Sequence, residues 1–121
     1  MEEIEVINKF RQQLESDGFK CKGQPSEGDV VLLDGEIRLD IQAFRESTPP
    51  ELLWIEAKGS GANLKDLICD FVSLLLVLDR YGGNACLIIP KEECGKIIKY
   101  KKFLDKLQNN ISKGKVEIIS I

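Results

Sequence analysis

Apolar residues recur along this chain with two different periods, and the way the periods alternate predicts the order of its elements. Ile4, Ile7, Phe10 and Leu14 return every three or four residues with charges between them, and Gly18 follows. That spacing predicts an amphipathic helix over residues 2–16. Val30 to Leu33 is a short apolar run, and Asp34-Gly35 after it tolerates the positive φ of a tight turn. Ile37, Leu39, Ile41 and Ala43 then alternate with Arg38, Asp40, Gln42 and Phe44, which is the period of a strand. Ser47-Thr48-Pro49-Pro50 makes a loop before another strand over residues 52–58. Gly59-Ser60-Gly61-Ala62-Asn63 breaks the chain, and Asn63 is placed to cap a helix that runs to Tyr81 and stops at Gly82-Gly83. Asn84 to Ile89 reads as a buried strand ending at Pro90, Lys91 to Gln108 as a third helix, and Lys115 to Ile121 as a last strand.

The order α-β-β-β-α-β-α-β predicts an α/β fold: a mixed β-sheet flanked by helices, with a core αβββαβ and an additional αβ at the C-terminal end. Short connections make the first three strands antiparallel. The strand after the second helix is expected to run parallel to one of them through a right-handed crossover. Residues 71–78 of that helix are apolar nearly all round, which predicts cover on more than one side. The run is too short to span a bilayer, and Asp70 and Asp79 flank it, so no membrane partner is expected.

Composition narrows the class. With 121 residues, 43% hydrophobic and 31% charged, the chain suits one globular domain over residues 1–121. The net charge of −3 carries no overall signature of nucleic-acid binding, but it is unevenly spread. Residues 1–90 hold 9 basic and 16 acidic side chains, whereas residues 91–121 hold 8 lysines and 4 acids. One basic face on an acidic body would explain this, and charge alone is equally satisfied by a solvated amphipathic helix. The four cysteines form no CxxC pair and histidine is absent, which argues against a zinc centre. Cys69 and Cys86 sit in apolar stretches and read as small core residues. With no secretory leader visible, free thiols in a reducing cytoplasm are expected.

The stretch Leu52-Leu53-Trp54-Ile55-Glu56-Ala57-Lys58 carries the candidate chemistry. Residues i and i+2 of a strand face the same way, so Glu56 and Lys58 share a face with Trp54 behind them. Asp40, between apolar Leu39 and Ile41, can lie beside Glu56 if its strand pairs with this one, and its own face also carries Arg38 and Gln42. Two adjacent carboxylates repel unless a proton or cation lies between them, and a divalent metal with oxygen ligands supplies that charge. A lysine beside it can orient a water or offset developing negative charge. An acidic-x-Lys triplet alone says little, since this composition gives about two by chance. Taken singly, Glu56 and Lys58 would be a same-face surface ion pair worth about 0–1 kcal/mol. A different α/β fold with a chance triplet would leave Asp40 and Glu56 far apart. Trp54 reads as core, and Gly59-Ser60-Gly61, which lacks the P-loop pattern, as a flexible connection.

Leu39-Asp40-Ile41 followed by Trp54-Ile55-Glu56-Ala57-Lys58, in this element order, resembles the PD-(D/E)XK nuclease superfamily. That group includes type II restriction enzymes and archaeal Holliday-junction resolvases. The resemblance spans roughly residues 2–90, with Leu39 where many members have proline. It implies a restriction-endonuclease-like fold and a metal-dependent nuclease that hydrolyses phosphodiester bonds, with DNA the favoured nucleic acid. Asp40, Glu56 and the Ala57 carbonyl would hold Mg2+ or Mn2+, and Lys58 would be the catalytic lysine. Many members add a glutamate from the first helix, for which Glu2, Glu3 and Glu5 are all available. Glu5, Gln42 and Lys65 are the further candidates for the site, while Asp66 and Asp70 on the following helix face undetermined directions. Arg38, Lys65 and the lysines of residues 91–102 are candidates for phosphate contact. By analogy with small nucleases that cut two strands, the resemblance also leaves room for a homodimer. The alternative reading is a non-catalytic module of the same fold that binds nucleic acid or a protein.

Overall fold

A computed structural model describes residues 1–111 and 114–121. Lys113, one of the basic residues of the C-terminal segment, lies outside the described residues. Helix α1 (Glu3–Ser16) buries Val6, Ile7, Phe10 and Leu14. Its apolar stripe is rotated slightly from the expected one, since Ile4 is 43% exposed and Val6 takes the inner position. A left-handed glycine ends the helix: Gly18 (φ 92) donates to Glu15 O and Phe19 to Leu14 O. Leu14 and Phe19 then join one apolar cluster, which fixes how the chain leaves the helix.

The next element, β1 (Lys20–Gly23), has one apolar-type residue in four, so periodicity does not reveal it. It forms an edge strand whose lysines discourage pairing with other chains. A separate hairpin follows, β2 (Val30–Leu32) antiparallel to β3 (Ile37–Leu39). Its turn places Leu33 and Asp34 at positive φ. The strand expected over residues 37–44 is therefore two strands. It breaks at Asp40 and resumes as β4 (Ile41–Arg45), with Leu39 and Ile41 buried in different clusters.

The main sheet has the order β1-β4-β5-β6-β7, with β5 (Glu51–Ala57), β6 (Asn84–Ile89) and β7 (Val116–Ser120). Strands β1, β4 and β5 are antiparallel neighbours, and β5, β6 and β7 run parallel. The protein is thus α/β, with a mixed five-stranded sheet and helices on both faces. Against one face, α1 packs on Ile41, Ala43, Ile55, Ala57, Cys86 and Ile88. Against the other, α2 (Leu64–Tyr81) packs on Trp54, Ala85, Leu87 and Ile89. Asn63 caps α2 as expected, its side chain accepting from Asp66 N at 2.9 Å. The helix ends at Gly82 (φ 76).

The structure departs from expectation in three further places. Val72 and Leu76 on α2 are 38% and 53% exposed, so that helix is covered less completely than its composition suggested. The third helix is a 3-10 turn (Lys91–Glu93) followed by α3 (Cys94–Ile98) and α4 (Lys101–Gln108). Tyr100 (φ −105, ψ 12) breaks it, while Ile97 and Leu104 on either side stay buried against the α2 cluster. All four cysteines are free, but Cys69 is exposed on α2; of the four, Cys86 alone is a buried core thiol, its pKa pushed up to about 12 by burial. Trp54 is core: its indole N–H donates to Gly82 O at 2.9 Å and its ring lies 5.7 Å from that of Tyr81. No helix among the described residues is long and apolar enough to cross a membrane.

Gly23 sets the approach of β1 to the break at Asp40. It has φ +109, and a Cβ there would lie 2.2 Å from the Asp40 carbonyl oxygen, a backbone atom. Gly28 also has positive φ, but open space surrounds it. Gly23→Ala is therefore expected to cost several kcal/mol on the order of other severe backbone clashes. Gly28→Ala should cost about 1 kcal/mol, from conformation alone. Denaturant titration of both variants checks the difference.

Candidate metal centre

Asp40 sits where the hairpin strand gives way to the sheet, and every polar group of its backbone is used. Its N–H donates to Ile55 O at 3.1 Å, and its carbonyl accepts from Gln24 N at 2.8 Å. Its side chain is held as well, with Oδ2 accepting from the Ala57 N–H at 2.7 Å. The residue is only 7% exposed. This carboxyl is therefore fixed by the strand that carries the other candidate ligands. Ile55 O and Ala57 N both address Asp40, which puts the Ala57 carbonyl on the same edge of β5.

The antiparallel register pairs Ile41 with Ile55, so Asp40 stands opposite Glu56. The two carboxyls meet. Glu56 is raised far above the ordinary glutamate value, first by burial and then by a hydrogen bond in which its protonated oxygen donates to Asp40. The charges of Asp40 and Asp70 add to this, and Lys58 opposes it. Like charges in a half-buried site cannot both ionise without a counter-charge, so the pair holds a proton here.

Lys58 shares the face of Glu56 as expected, but its partner is Asp70, in the second turn of α2. Nζ lies 2.9 Å from Asp70 Oδ2. No aligned hydrogen bond reaches that enclosed oxygen, so its compensation is largely Coulombic. Burial favours the neutral amine of Lys58, but Asp70, Glu56 and Glu3 together outweigh it and raise its proton affinity. Burial also raises Asp70, against the lowering influence of Lys58.

The first-helix glutamate that reaches this cluster is Glu3, and the expectation for Glu5 is corrected. Glu3 is raised by burial and then by Asp40 and Asp70, with Lys58 opposing. Gly59 explains the approach, because a Cβ on it would lie 2.4 Å from Glu3 N. Glu5 lies on the exposed side of α1. Gln42 is opposite Trp54 and lines a shallow groove with Lys20, Lys22, Phe44 and Leu52, with no hydrogen bond to the carboxyl pair among the described residues. Lys65 is exposed in the first turn of α2, as is Arg38 on β3, and neither has an ion pair among the described residues. The Gly59-Ser60-Gly61 loop is held rather than free: Ser60 N donates to Met1 O, Ser60 Oγ to Glu92 and Gly61 N to Glu93.

Helical spacing contained part of the signal for Glu3 and Asp70. Glu3 falls three and four residues before buried Val6 and Ile7, and Asp70 lies three after Leu67 and four before Leu74. Asp70 therefore interrupts the buried stripe of α2 and is half-buried, while Glu3 lies at the head of the stripe of α1 and stays exposed at the rim.

The site thus has one tightly held carboxylate, a second carboxyl touching it, a backbone carbonyl on the same edge, and a lysine beside them. Among the described residues, no three acidic or thiol side chains stand close enough to hold a metal ion by themselves. The donors fit Mg2+ all the same, since that ion usually takes one or two carboxylates and keeps several waters. Comparison with protein-family models, curated proteins and solved structures gives no match.

The raised Glu56 fixes a sign for stability against pH. The unfolded chain releases this proton near the ordinary value of 4.5, and the folded protein only at higher pH. Its contribution is therefore complete below about pH 4.5 and is lost as pH rises toward the folded value. Glu56→Gln, which keeps the hydrogen bond to Asp40 without the charge, should flatten the fall in melting temperature between about pH 5 and 8 in metal-free buffer. It should stabilise the protein at neutral pH by on the order of 1 kcal/mol or more, because the variant folds without having to bind a proton. Thermal melts at several pH values measure both.

Proposed function

We propose that this protein is a divalent-metal-dependent nuclease on a restriction-endonuclease-like fold, hydrolysing phosphodiester bonds with DNA the favoured substrate. The observation that carries the reading is the contact between the Asp40 and Glu56 carboxyls on neighbouring strands, with Lys58 on the same face. Asp40, Glu56 and the Ala57 carbonyl would hold Mg2+ or Mn2+. When bound, such an ion supplies Lewis acidity toward phosphate and a more acidic water.

The chain's own residues supply the rest. The Ala57 N–H keeps the Asp40 carboxyl oriented, so one ligand needs no rearrangement. Glu56 would give up its proton where a cation is held, and the cation's charge would offset the repulsion between the carboxyls. Lys58 brings a positive charge to the face where a phosphate would lie, and Asp70 restrains its ammonium. Glu3 adds a negative charge at the rim of the same cluster.

One observation favours the alternative, a non-catalytic module of this fold. Lys58 is already engaged by Asp70, so its charge is partly spent before any substrate arrives. Metal affinity separates the two readings. Titration calorimetry with Mn2+ should show binding accompanied by proton release, visible as a dependence of the heat on the buffer's ionisation enthalpy. Asp40→Asn and Glu56→Ala should both abolish it. Lys58→Ala should keep metal affinity while reducing cleavage of a mixed panel of duplex, branched and single-stranded substrates about 10²- to 10³-fold, the effect of deleting one electrostatic stabiliser. If wild-type protein takes up no metal, the module reading stands. If Lys58→Ala cleaves at the wild-type rate, the lysine has no catalytic role.

A further inference from the structure

Beyond the carboxyl pair, the turn from α3 into α4 presents two parallel rows of side chains to solvent. Lys99, Lys102 and Lys106 recur every three or four residues and form one row; all three are exposed, and none has an ion pair among the described residues. Tyr100 and Phe103, three residues apart, form the adjacent row and are 43% and 54% exposed. The geometry is continuous across the break, because Tyr100 N donates to Ile97 O at 2.9 Å and Leu104 N to Tyr100 O at 3.0 Å. The opposite side of the turn is anchored in the core by Ile97 and Leu104. Asp105, the one acid of this stretch, lies on the other flank, beside Lys101 at 3.5 Å.

We propose that this surface binds single-stranded nucleic acid, with bases stacked on Tyr100 and Phe103 and phosphates held by Lys99, Lys102 and Lys106. Charge complementarity selects the occupant. In a chain of net charge −3, three exposed lysines without ion pairs among the described residues stand on one face of this turn, where they match a polyanion. The aromatic row selects among polyanions. The two rings are left half in water and belong to neither apolar cluster, and a flat ring beside a cationic row is the arrangement that stacks unpaired bases without reading their sequence. The stacked bases of a duplex offer no such face. Lys96 Nζ donates to Ala62 O at 2.8 Å, which ties α3, the helix before this surface, to the loop that follows Lys58. As a route by which substrate reaches the carboxyl pair, this surface rests on the nuclease reading; as a binding surface it does not.

The test is fluorescence anisotropy of a labelled oligothymidylate with the full chain in EDTA, so that no metal contributes. Binding should weaken between about 50 and 200 mM salt, with the log–log slope falling by about 0.7 for each of Lys102→Ala and Lys106→Ala. Tyr100→Ala and Phe103→Ala should each weaken binding about 5- to 150-fold, the range for losing one stacked base. Phe103→Tyr should restore it, and Lys9→Ala, which removes an exposed lysine of α1, should leave it unchanged. These residues are exposed, so circular dichroism and melting temperature should match wild type in every variant. Equal affinity for a duplex, insensitive to the aromatic substitutions, would reduce the surface to a solvated basic face and overturn the proposal. So would binding to phosphatidylserine-containing vesicles without binding to the oligonucleotide, which would identify a membrane-facing surface. Oligonucleotide binding without metal uptake would keep this inference and remove the nuclease one, and metal uptake without oligonucleotide binding would do the reverse.

Discussion

The buried hydrogen bond from the Ala57 N–H to Asp40 Oδ2 holds together two things that could have been independent. It closes the end of the β4–β5 pair just where the chain leaves the sheet for the hairpin. It also fixes one carboxyl of the candidate site against the strand that bears the other. A bond of this kind, charge-assisted and shielded from water, is among the stronger single contacts available to a domain of this size. Because Asp40 donates to Ile55 O and accepts from Gln24 N as well, its position depends on β1, β5 and the hairpin together. The site is therefore part of the sheet's own construction, not a set of side chains added to its surface.

Electrostatics gives this arrangement its direction. Glu3, Asp40, Glu56 and Asp70 come from two helices, a strand break and a strand, and Lys58 is the one base among them. Without a cation the cluster settles its charge in two ways: Glu56 keeps a proton, and Asp70 takes the lysine. Both arrangements are reversible at little structural cost. The first gives way to any counter-ion that outcompetes a proton, and the second leaves Lys58 partly exposed at the rim. A site of this type is tense where it is buried and adjustable at its edge.

Much of the fold was legible in the amino-acid order, and the failures have identifiable physics. The alternation Trp54-Ile55-Glu56-Ala57 correctly divides β5 between two layers, because a strand's side chains have nowhere else to go. Asn63 and Gly82 mark the ends of α2 because capping and left-handed backbone are local chemistry. β1 was invisible because an edge strand with two lysines needs no apolar pattern; its pairing with β4 specifies it. The break at Asp40 was hidden for the opposite reason: the period of two continues through it while the backbone turns, so Leu39 and Ile41 are both buried but in different clusters. In the site, the strand period puts Glu56 and Lys58 on one face, and Asp40 beside them only on the condition that its strand pairs with β5, a pairing the register of Ile41 with Ile55 supplies. Asp70 and Glu3 belong to helices whose rotation against the sheet depends on packing, which the motif does not encode. The fracture of the third helix at Tyr100 has the same origin.

β5 carries the two kinds of residue on alternate positions, and that has a consequence for how faithfully the chain folds. Slipping β5 by one residue against β4 would carry Glu56 and Lys58 into the layer under α1, among Ile41, Ile88 and Phe10, and turn Ile55 and Ala57 toward α2. Two charges would then be stranded in hydrocarbon with no partner, at a cost no misregistered sheet could carry. The polar residues of the candidate site are thus also a proofreading device. A domain with an apolar residue at position 56 would be easier to assemble, and easier to assemble wrongly.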